Sequence, residues 1–222
     1  MLIQLTAELL EDAIIYAVGK HRGQRRKGVD FYGNRKPYIL HPMSVMMRIF
    51  ANKVSKNMYM LAIAAICHDI IEDVYETKEE KLVGLLEITE KFGPQVAALV
   101  DELTLDKSQY ELIGKKEYLA HELNIMSPYA LAIKLCDRLE NVCDMETVDE
   151  KFRDNYIPET WYILSKLNRK LTGSHKNLIQ QIKDKLQSYN NTGKYDEYVI
   201  INVNENGKTE IYEGNKLIGS QG

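Results

Sequence analysis

The sequence has little cysteine and no long hydrophobic run. Its three cysteines, Cys67, Cys136 and Cys143, form no CxxC pair, which excludes a disulfide framework and a zinc-finger spacing and favours a reducing compartment. The longest apolar run, Met58–Cys67, is far shorter than the roughly 20 residues that cross a bilayer. No basic residue precedes Lys20, which is the opposite of a secretory signal or a transit peptide. These absences predict a cytoplasmic protein.

An excess of positive charge is also missing. The chain carries 29 basic and 32 acidic residues, a formal net charge of −3, so its overall charge does not steer it onto nucleic acid or an anionic membrane. With 45% hydrophobic residues and only 13 glycines and 5 prolines, the composition is that of an ordinary globular protein. We therefore expect a small-molecule substrate, no nucleic-acid partner and no membrane partner.

Between residues 6 and about 186, apolar residues recur at helical spacing, and helix start and stop signals separate the periodic segments. Pro42 suits the first turn of one helix, Thr77 with Glu80 is a capping box for another, and Ser127 before Pro128 caps a third. The expected helices cover residues 9–18, 42–53, 59–74, 77–93, 94–103, 115–125, 128–145, 158–171 and 175–186. The sequence therefore predicts an all-α helical bundle.

The pattern changes after Asn190. The stretches EYVIINV, TEIY and KLIG read as strands, and the turn pairs Asn206-Gly207 and Gly214-Asn215 separate them. This pattern predicts a small β meander that is too short for a core of its own. We expect a helical domain at residues 1–190 and a β appendage at 191–222. The appendage is expected to pack on the helical body or on a second subunit, and the second arrangement would make the protein a homo-oligomer.

The sharpest local feature is the segment HDIIED, residues 68–73, inside the otherwise apolar stretch LAIAAICHDIIEDV. On a continuous helix, residues four apart share a face, so His68 lies near Glu72 and Asp69 lies near Asp73. Burying these charges unpaired costs several kcal/mol for each group, a cost that a bound cation would offset. The simpler alternative is a solvated helix end whose charged side chains point outward.

Two further positions favour a cation. Asp137 interrupts the apolar stretch ALAIKLCDRLENV, and His41 precedes Pro42 at a helix start. Together with His68 and Asp69, they make a set of two imidazoles and two carboxylates without a thiolate, which suits manganese or iron better than structural zinc. Such an ion lowers the pKa of a bound water and holds a phosphoryl oxygen, which is the chemistry of phosphoester hydrolysis.

Glu72 and Asp73 follow the expected ligands by one helical turn. A carboxyl group in that position can take a proton from the attacking water or give one to the leaving group. We therefore expect these two residues to be the catalytic acid–base pair.

Five motifs then occur in a fixed order: HxGQxRK at residues 21–27, PYIxHP at 37–42, HDxxED at 68–73, VAxLVxxxT at 96–104 and IKLxDRLxN at 133–141. Together they resemble the HD-type hydrolase domain of the RelA/SpoT proteins, over residues 7–186. The closing stretch, residues 159–186, is more similar to the stand-alone members, the metazoan SpoT homologues and the bacterial small alarmone hydrolases, than to the multidomain Rel proteins.

The resemblance implies Mn2+-dependent removal of the 3′-pyrophosphate from ppGpp and pppGpp, the nucleotides of the stringent response, which gives GDP or GTP and pyrophosphate. It implies one ion, with Fe2+, Co2+ or Mg2+ as alternatives to Mn2+. It also implies a role for each site residue: His41, His68, Asp69 and Asp137 as metal ligands, Glu72 and Asp73 as the catalytic pair, and Arg26, Lys27 and Asn141 as nucleotide contacts. Five basic residues between Lys20 and Lys27 agree with a substrate that carries four or five phosphates.

Two departures from the family pattern leave the substrate open. The residues VDFYGNRK lengthen the segment between Gly28 and Pro37, beside the expected nucleotide site, and Glu140 adds a carboxylate next to Asn141. A remodelled base site would favour another nucleotide, such as a deoxynucleotide, an adenine alarmone or NADPH. A further alternative is a non-catalytic module that binds a nucleotide and regulates a partner.

Overall fold

A computed structural model of the protein describes residues 4–190 together with three strands of the tail, residues 199–203, 209–213 and 216–221. The elements of this described part are α1 (Ala7–Lys20), β1 (Arg25–Val29), β2 (Arg35–Pro37), α2 (Leu40–Asn52), α3 (Met58–Cys67), α4 (Ile70–Asp73), α5 (Lys78–Phe92), α6 (Pro94–Leu103), α7 (Lys107–Ile113), α8 (Lys115–Ile125), α9 (Pro128–Cys143), a 3₁₀ helix (Asp144–Thr147), α10 (Glu150–Ser165), α11 (Gly173–Ser188), β3 (Val199–Val203), β4 (Thr209–Glu213) and β5 (Lys216–Gln221). The predicted helical bundle with a small β appendage is confirmed.

Two helices, α3 and α9, form the centre of the core. All residues of α3 from Met60 to Cys67 are buried, and so is most of α9. Helices α1, α2 and α6 pack on α3, while α2 and α11 pack on α9. Because both central helices are enclosed by neighbours, a charged side chain on either of them enters the interior unless it lies near a helix end. This arrangement gives the polar residues of α9 their surroundings.

Local start signals give the correct helix starts at two places. The Thr77 side chain accepts a hydrogen bond from the Glu80 N–H, and the Glu80 carboxylate accepts one from the Thr77 N–H, so the predicted capping box begins α5. Ser127 accepts from the Ala130 N–H, with Pro128 as the first residue of α9. These interactions lie within four residues of each other, which is why the sequence pattern was sufficient to predict them.

The prediction of one continuous helix over residues 59–74 is wrong, because α3 ends at Cys67 and α4 begins at Ile70. The His68 ring nitrogen Nδ1 lies 2.8 Å from the carbonyl oxygen of Ala65. In a continuous helix that carbonyl would accept the N–H of Asp69. The side chain thus competes with the helical hydrogen bond at the point where the helix breaks.

The predicted helix over residues 158–171 is also wrong. Helix α10 begins at Glu150, where the Asp149 side chain accepts from the Phe152 N–H, and Pro158 lies inside the helix. An aspartate N-cap therefore determines the start, and the proline does not. Helix α7 was not predicted at all.

The lengthened segment after Gly28 folds into an antiparallel hairpin, β1–β2, where no strand was predicted. The Asp30 carboxylate organises the turn by accepting from the backbone N–H groups of Tyr32 and Asn34, each at 2.9 Å. Gly33 adopts φ +80°, a conformation that favours glycine. The insertion is thus a defined element that projects beside α9.

The tail strands pair in the order β3-β4-β5, each pair antiparallel, at the three places where the sequence predicts strands. The backbone of β3 lies against α10. The turn pairs at 206–207 and 214–215 lie outside the described residues, and the domain division at residue 190, like assembly through the tail, stays a prediction. A search of the described residues finds no helix long and apolar enough to span a membrane.

We expect that deleting residues 193–222 leaves a folded helical body, because the buried core described here comes from residues 13–186. Far-UV circular dichroism and a thermal melt would test this, and we expect a helical spectrum with one cooperative transition. An insoluble or unfolded truncated chain would show instead that the tail belongs to the core.

Candidate active site

Three elements bring His41, His68 and Asp137 together. His41 lies in the first turn of α2, His68 follows the end of α3, and Asp137 lies in the middle of α9. These residues are 3%, 1% and 8% exposed, respectively. Their ligand atoms all lie within 4.8 Å of one another, although the residues are far apart in the sequence. The described part of the chain therefore contains a compact, buried group of possible metal ligands.

Asp69 borders this group and contacts both imidazoles. Its two oxygens lie 3.0 Å from Nε2 of His68 and 3.5 Å from Nε2 of His41. Oδ1 of Asp137 lies 3.1 Å from His41 Nε2 and 3.9 Å from His68 Nε2. Ligands at 2.0–2.2 Å from one ion are separated by roughly 3 to 4.4 Å, a range that includes these four distances. The mutually close group is nevertheless His41, His68 and Asp137, because Asp69 reaches the two imidazoles through different oxygens.

The hydrogen bond of the His68 imidazole also fits a metal, whereas the buried Nδ1 of His41 has no hydrogen-bond partner. His68 Nδ1 lies against the Ala65 carbonyl, an acceptor, so this nitrogen carries a proton and Nε2 is the nitrogen that faces the carboxylate cluster and would bind a metal after losing its own proton. The buried Nε2 atom makes no well-aligned hydrogen bond, although an Asp69 oxygen lies 3.0 Å from it. A backbone carbonyl that fixes the tautomer of a ligating histidine is typical of metal sites. This donor set therefore fits a divalent ion without rearrangement of the histidine.

The carboxylates of the site attract positive charge strongly. Burial disfavours the charged form of His68, but the carboxylates of Asp69 and Asp137 outweigh burial and raise the pKa of the imidazole to about 9. Burial likewise opposes ionisation of Asp137, yet Lys134 and the two imidazoles hold the pKa of that carboxyl well below its usual range. Two ionised carboxylates in an enclosed site favour a bound cation.

Two neighbouring residues, to which the sequence motifs alone assign no role, orient the aspartates. The Tyr38 hydroxyl donates to Oδ2 of Asp69 at 2.7 Å. The ammonium of Lys134, a residue only 8% exposed, lies 3.3 Å from Oδ2 of Asp137. Tyr38 belongs to the PYIxHP motif, and Lys134 interrupts the apolar pattern of α9 three residues before Asp137. The motif position of Tyr38 and the charged interruption at Lys134 are the sequence signals that point to these two residues.

Glu72 and Asp73 lie at the edge of the same cavity. Burial, together with the negative charges of Asp69 and Asp73, raises the pKa of Glu72 above its ordinary value, although Lys134 opposes this shift. The backbone N–H of Leu105 lies 3.5 Å from the Glu72 carboxylate. Asp73 is exposed, and its backbone carbonyl accepts from the Gln24 side chain. Glu72 can therefore hold a proton at a higher pH than an exposed glutamate.

The three expected nucleotide contacts separate into two locations. Arg26 and Asn141 line the cavity, and the Arg26 guanidinium donates to the Asn141 side-chain oxygen at 3.1 Å. The Asn141 amide donates to Oδ1 of Asp137 at 2.7 Å. Lys27 lies on the other face of β1, where its ammonium is 3.9 Å from the ring centroid of Phe152. Arg26 and Asn141 are therefore linked to the metal-ligand group, while Lys27 lies outside the cavity lining.

Glu140, the extra carboxylate beside Asn141, points away from the cavity. It is paired with the guanidinium of Arg48 on α2, with N–O distances of 2.7 and 2.6 Å. This ion pair neutralises the charge that would otherwise repel a phosphate, so this departure from the family pattern does not alter the cavity.

The cavity has a volume of about 160 Å³ and is open to solvent. Beyond the residues already described, Lys115 and Arg138 add positive charge to its wall, and both contact Glu159 on α10, at 3.5 and 3.0 Å. Acidic groups thus surround the metal-ligand group, while cations from α8, α9 and the hairpin face the same space. This separation of negative and positive side chains suits a polyanion that contacts both a bound cation and the positive side chains of the wall.

Comparison with known proteins gives a consistent result. The HD-domain family matches residues 38–142. The human protein named guanosine-3′,5′-bis(diphosphate) 3′-pyrophosphohydrolase MESH1 is 32% identical over 178 residues, which cover 80% of this chain and 92% of that protein. A protein of Aquifex aeolicus named guanosine-3′,5′-bis(diphosphate) 3′-pyrophosphohydrolase is 30% identical over 185 residues. This match covers 82% of this chain but only 23% of that longer protein.

A solved structure agrees with these sequence matches. It is described as a metazoan ortholog of SpoT that hydrolyses ppGpp, and it superposes with a TM-score of 0.66 at 25% identity, over 84% of this chain and 98% of that one. The shared fold and the length of the match extend well beyond the HD motif. This chain belongs to the RelA/SpoT-type family of HD-domain hydrolases, which are metal-dependent phosphohydrolases.

Proposed function

We propose that this protein removes the 3′-pyrophosphate of ppGpp and pppGpp, giving GDP or GTP and pyrophosphate, with one Mn2+ ion held by His41, His68, Asp69 and Asp137. The observation that carries the proposal is that ligand atoms of His41, His68 and Asp137 all lie within 4.8 Å of one another, with the two Asp69 oxygens 3.0 and 3.5 Å from the imidazoles. The named activity of the MESH1 relatives supports the substrate.

The donor set supports Mn2+ over a structural zinc ion. Nitrogen and oxygen ligands without thiolate are typical of manganese and iron sites, and Fe2+, Co2+ and Mg2+ are the alternatives. Cys67 and Cys136 each directly precede a proposed ligand in the sequence. Burial raises the pKa of both thiols, so they remain neutral and do not compete for the ion.

The chemistry needs a Lewis acid, a base and an acid. A divalent ion, when bound, polarises the attacking water and a phosphoryl oxygen. Cleavage of the bond between the 3′ oxygen and phosphorus requires one proton to leave the water and one proton to reach the 3′ oxygen. Glu72 and Asp73 supply these two steps, since both line the cavity and Glu72 has a raised pKa. Tyr38 holds Asp69 in place through its hydroxyl.

Side chains that line or border the cavity can bind the base and the phosphates of the nucleotide. Arg26 can stack on the guanine base through the face of its guanidinium, while Asn141 contacts the nucleotide beside the ion. Lys115 and Arg138 lie in the cavity wall, where they can meet the phosphates. Lys27, which the resemblance implies as a further contact, would have to leave Phe152 to reach a nucleotide.

We expect that purified protein with Mn2+ and ppGpp releases GDP and pyrophosphate, which chromatography and a pyrophosphate assay would measure. A panel with pppGpp, deoxynucleotides, adenine alarmones and NADPH tests the base site, because the β1–β2 hairpin lengthens the chain beside Arg26. Turnover of another member of the panel but not of ppGpp would contradict the proposal that ppGpp is the substrate. Binding without turnover under each of the four metals would instead favour a regulatory module.

We expect Asp137→Ala to lose the bound ion and to lower turnover roughly a thousandfold or more, since Asp137 contacts both imidazoles and the Lewis acid would be lost. Metal content measured by mass spectrometry after gel filtration, together with the rate, tests this. Asp101→Ala is the control, because Asp101 is an exposed carboxylate on α6. A variant with unchanged metal content would refute the role of Asp137 as a ligand.

We expect Glu72→Gln to retain the ion and the fold while kcat falls by about 10²- to 10⁴-fold, because the amide cannot exchange a proton. The measurements are kcat, metal content and a thermal melt. Glu90→Gln on the exposed face of α5 is the matched control. Wild-type turnover in Glu72→Gln would exclude a proton-transfer role for this residue.

A further inference from the structure

Asp144 begins the 3₁₀ helix that directly follows α9, and it is only 8% exposed. One of its oxygens accepts from Nε and Nη2 of Arg26, at 3.3 and 3.0 Å. The other accepts from Nζ of Lys36 and from the Thr147 hydroxyl. Arg26 belongs to β1 and Lys36 belongs to β2, so one buried carboxylate holds both strands of the hairpin.

The backbone of the hairpin lies directly on the same 3₁₀ helix. Arg26 and Gly28 are the two less exposed residues of β1, on the face turned towards that helix. A Cβ atom added at Gly28 would lie 2.2 Å from the Thr147 hydroxyl and 3.0 Å from an Asp144 oxygen. Only glycine permits this close approach without a shift of these neighbours. The contact therefore depends on the fit of both surfaces and not on charge alone.

The arginine connects this anchor to the metal-ligand group. Its Nη2 donates to Asn141, and Asn141 in turn donates to Asp137. These hydrogen bonds use N–H groups at the edge of the guanidinium, which is compatible with a base stacked on its face. If Asp144 lost its charge, Arg26 and Lys36 would lie close together without a shared counter-ion, and their repulsion would favour separation of the hairpin from the 3₁₀ helix.

We propose that Asp144 is a positioning residue, which fixes the lengthened β1–β2 hairpin on the end of α9 and so holds Arg26 in place for the nucleotide. This inference rests on the proposed function for the role of Arg26. A pre-positioned arginine lowers the entropic cost of ordering a long side chain when the nucleotide binds. Asp144 itself need not touch the reacting atoms, so its loss should weaken binding more than chemistry.

The first test does not require activity. We expect Asp144→Asn to speed backbone hydrogen exchange over residues 25–37, measured by mass spectrometry on the full chain without a nucleotide. Glu146→Gln is the matched control, since it makes the same change two residues away, in a carboxylate that pairs with Lys185 at the surface. Unchanged exchange over residues 25–37 in Asp144→Asn would overturn the anchor.

The second test separates binding from chemistry. We expect Asp144→Asn to raise the KM for ppGpp about tenfold with kcat within about threefold of wild type, and Asp144→Glu to restore part of the difference. A loss of kcat at unchanged KM would overturn the positioning role. If the wild type does not hydrolyse ppGpp, the proposed function fails, whereas the exchange experiment still decides whether Asp144 holds the hairpin.

Discussion

The site depends on one constraint: two imidazoles and two carboxylates must share a small space in which their side chains are largely buried. His41 and His68 both face Oδ1 of Asp137, and the backbone carbonyl of Ala65 fixes the second imidazole. Such a cluster is electrostatically costly without positive charge, and a divalent ion meets that need. The helical core must therefore hold the three chain segments closely enough for one ion to reach all of them.

Helix α9 organises the rest of the site along one side. Lys134, Asp137 and Asn141 are separated by three and four residues, and Asp144 follows three residues later, a spacing that keeps them on one face of a helix. The face begins at the ammonium beside the metal-ligand group and ends at the carboxylate that holds the hairpin. A single rigid element thus relates the metal-ligand group to Arg26, the proposed nucleotide contact, which favours precise positioning.

Charge is divided within the cavity. The carboxylates of Asp69, Asp137 and Glu72 surround the metal-ligand group, whereas Lys115 and Arg138 occupy the wall and are partly neutralised by Glu159. A polyphosphate can therefore contact the cations of the wall, and a metal ion bound among the carboxylates would screen it from their negative charge. This arrangement suits the highly anionic substrate that we propose, although the chain has a net charge of −3.

The sequence by itself determined the helical class, the starts of α5 and α9, the three tail strands and the residue types of the site, because capping, periodicity and ligand chemistry are local properties. It could not determine the break at His68, where a side chain competes for the Ala65 carbonyl, or the start of α10, where Asp149 prevails over Pro158. It also missed the hairpin and the partners of Asp144 and Glu140. The hydrogen bonds at His68 and Asp149 are local, but the tertiary surroundings decide which of two competing local signals prevails. The partners of Asp144 and Glu140 lie far away in the chain, and the energies of those contacts depend on burial and on neighbouring charges that only the tertiary structure supplies.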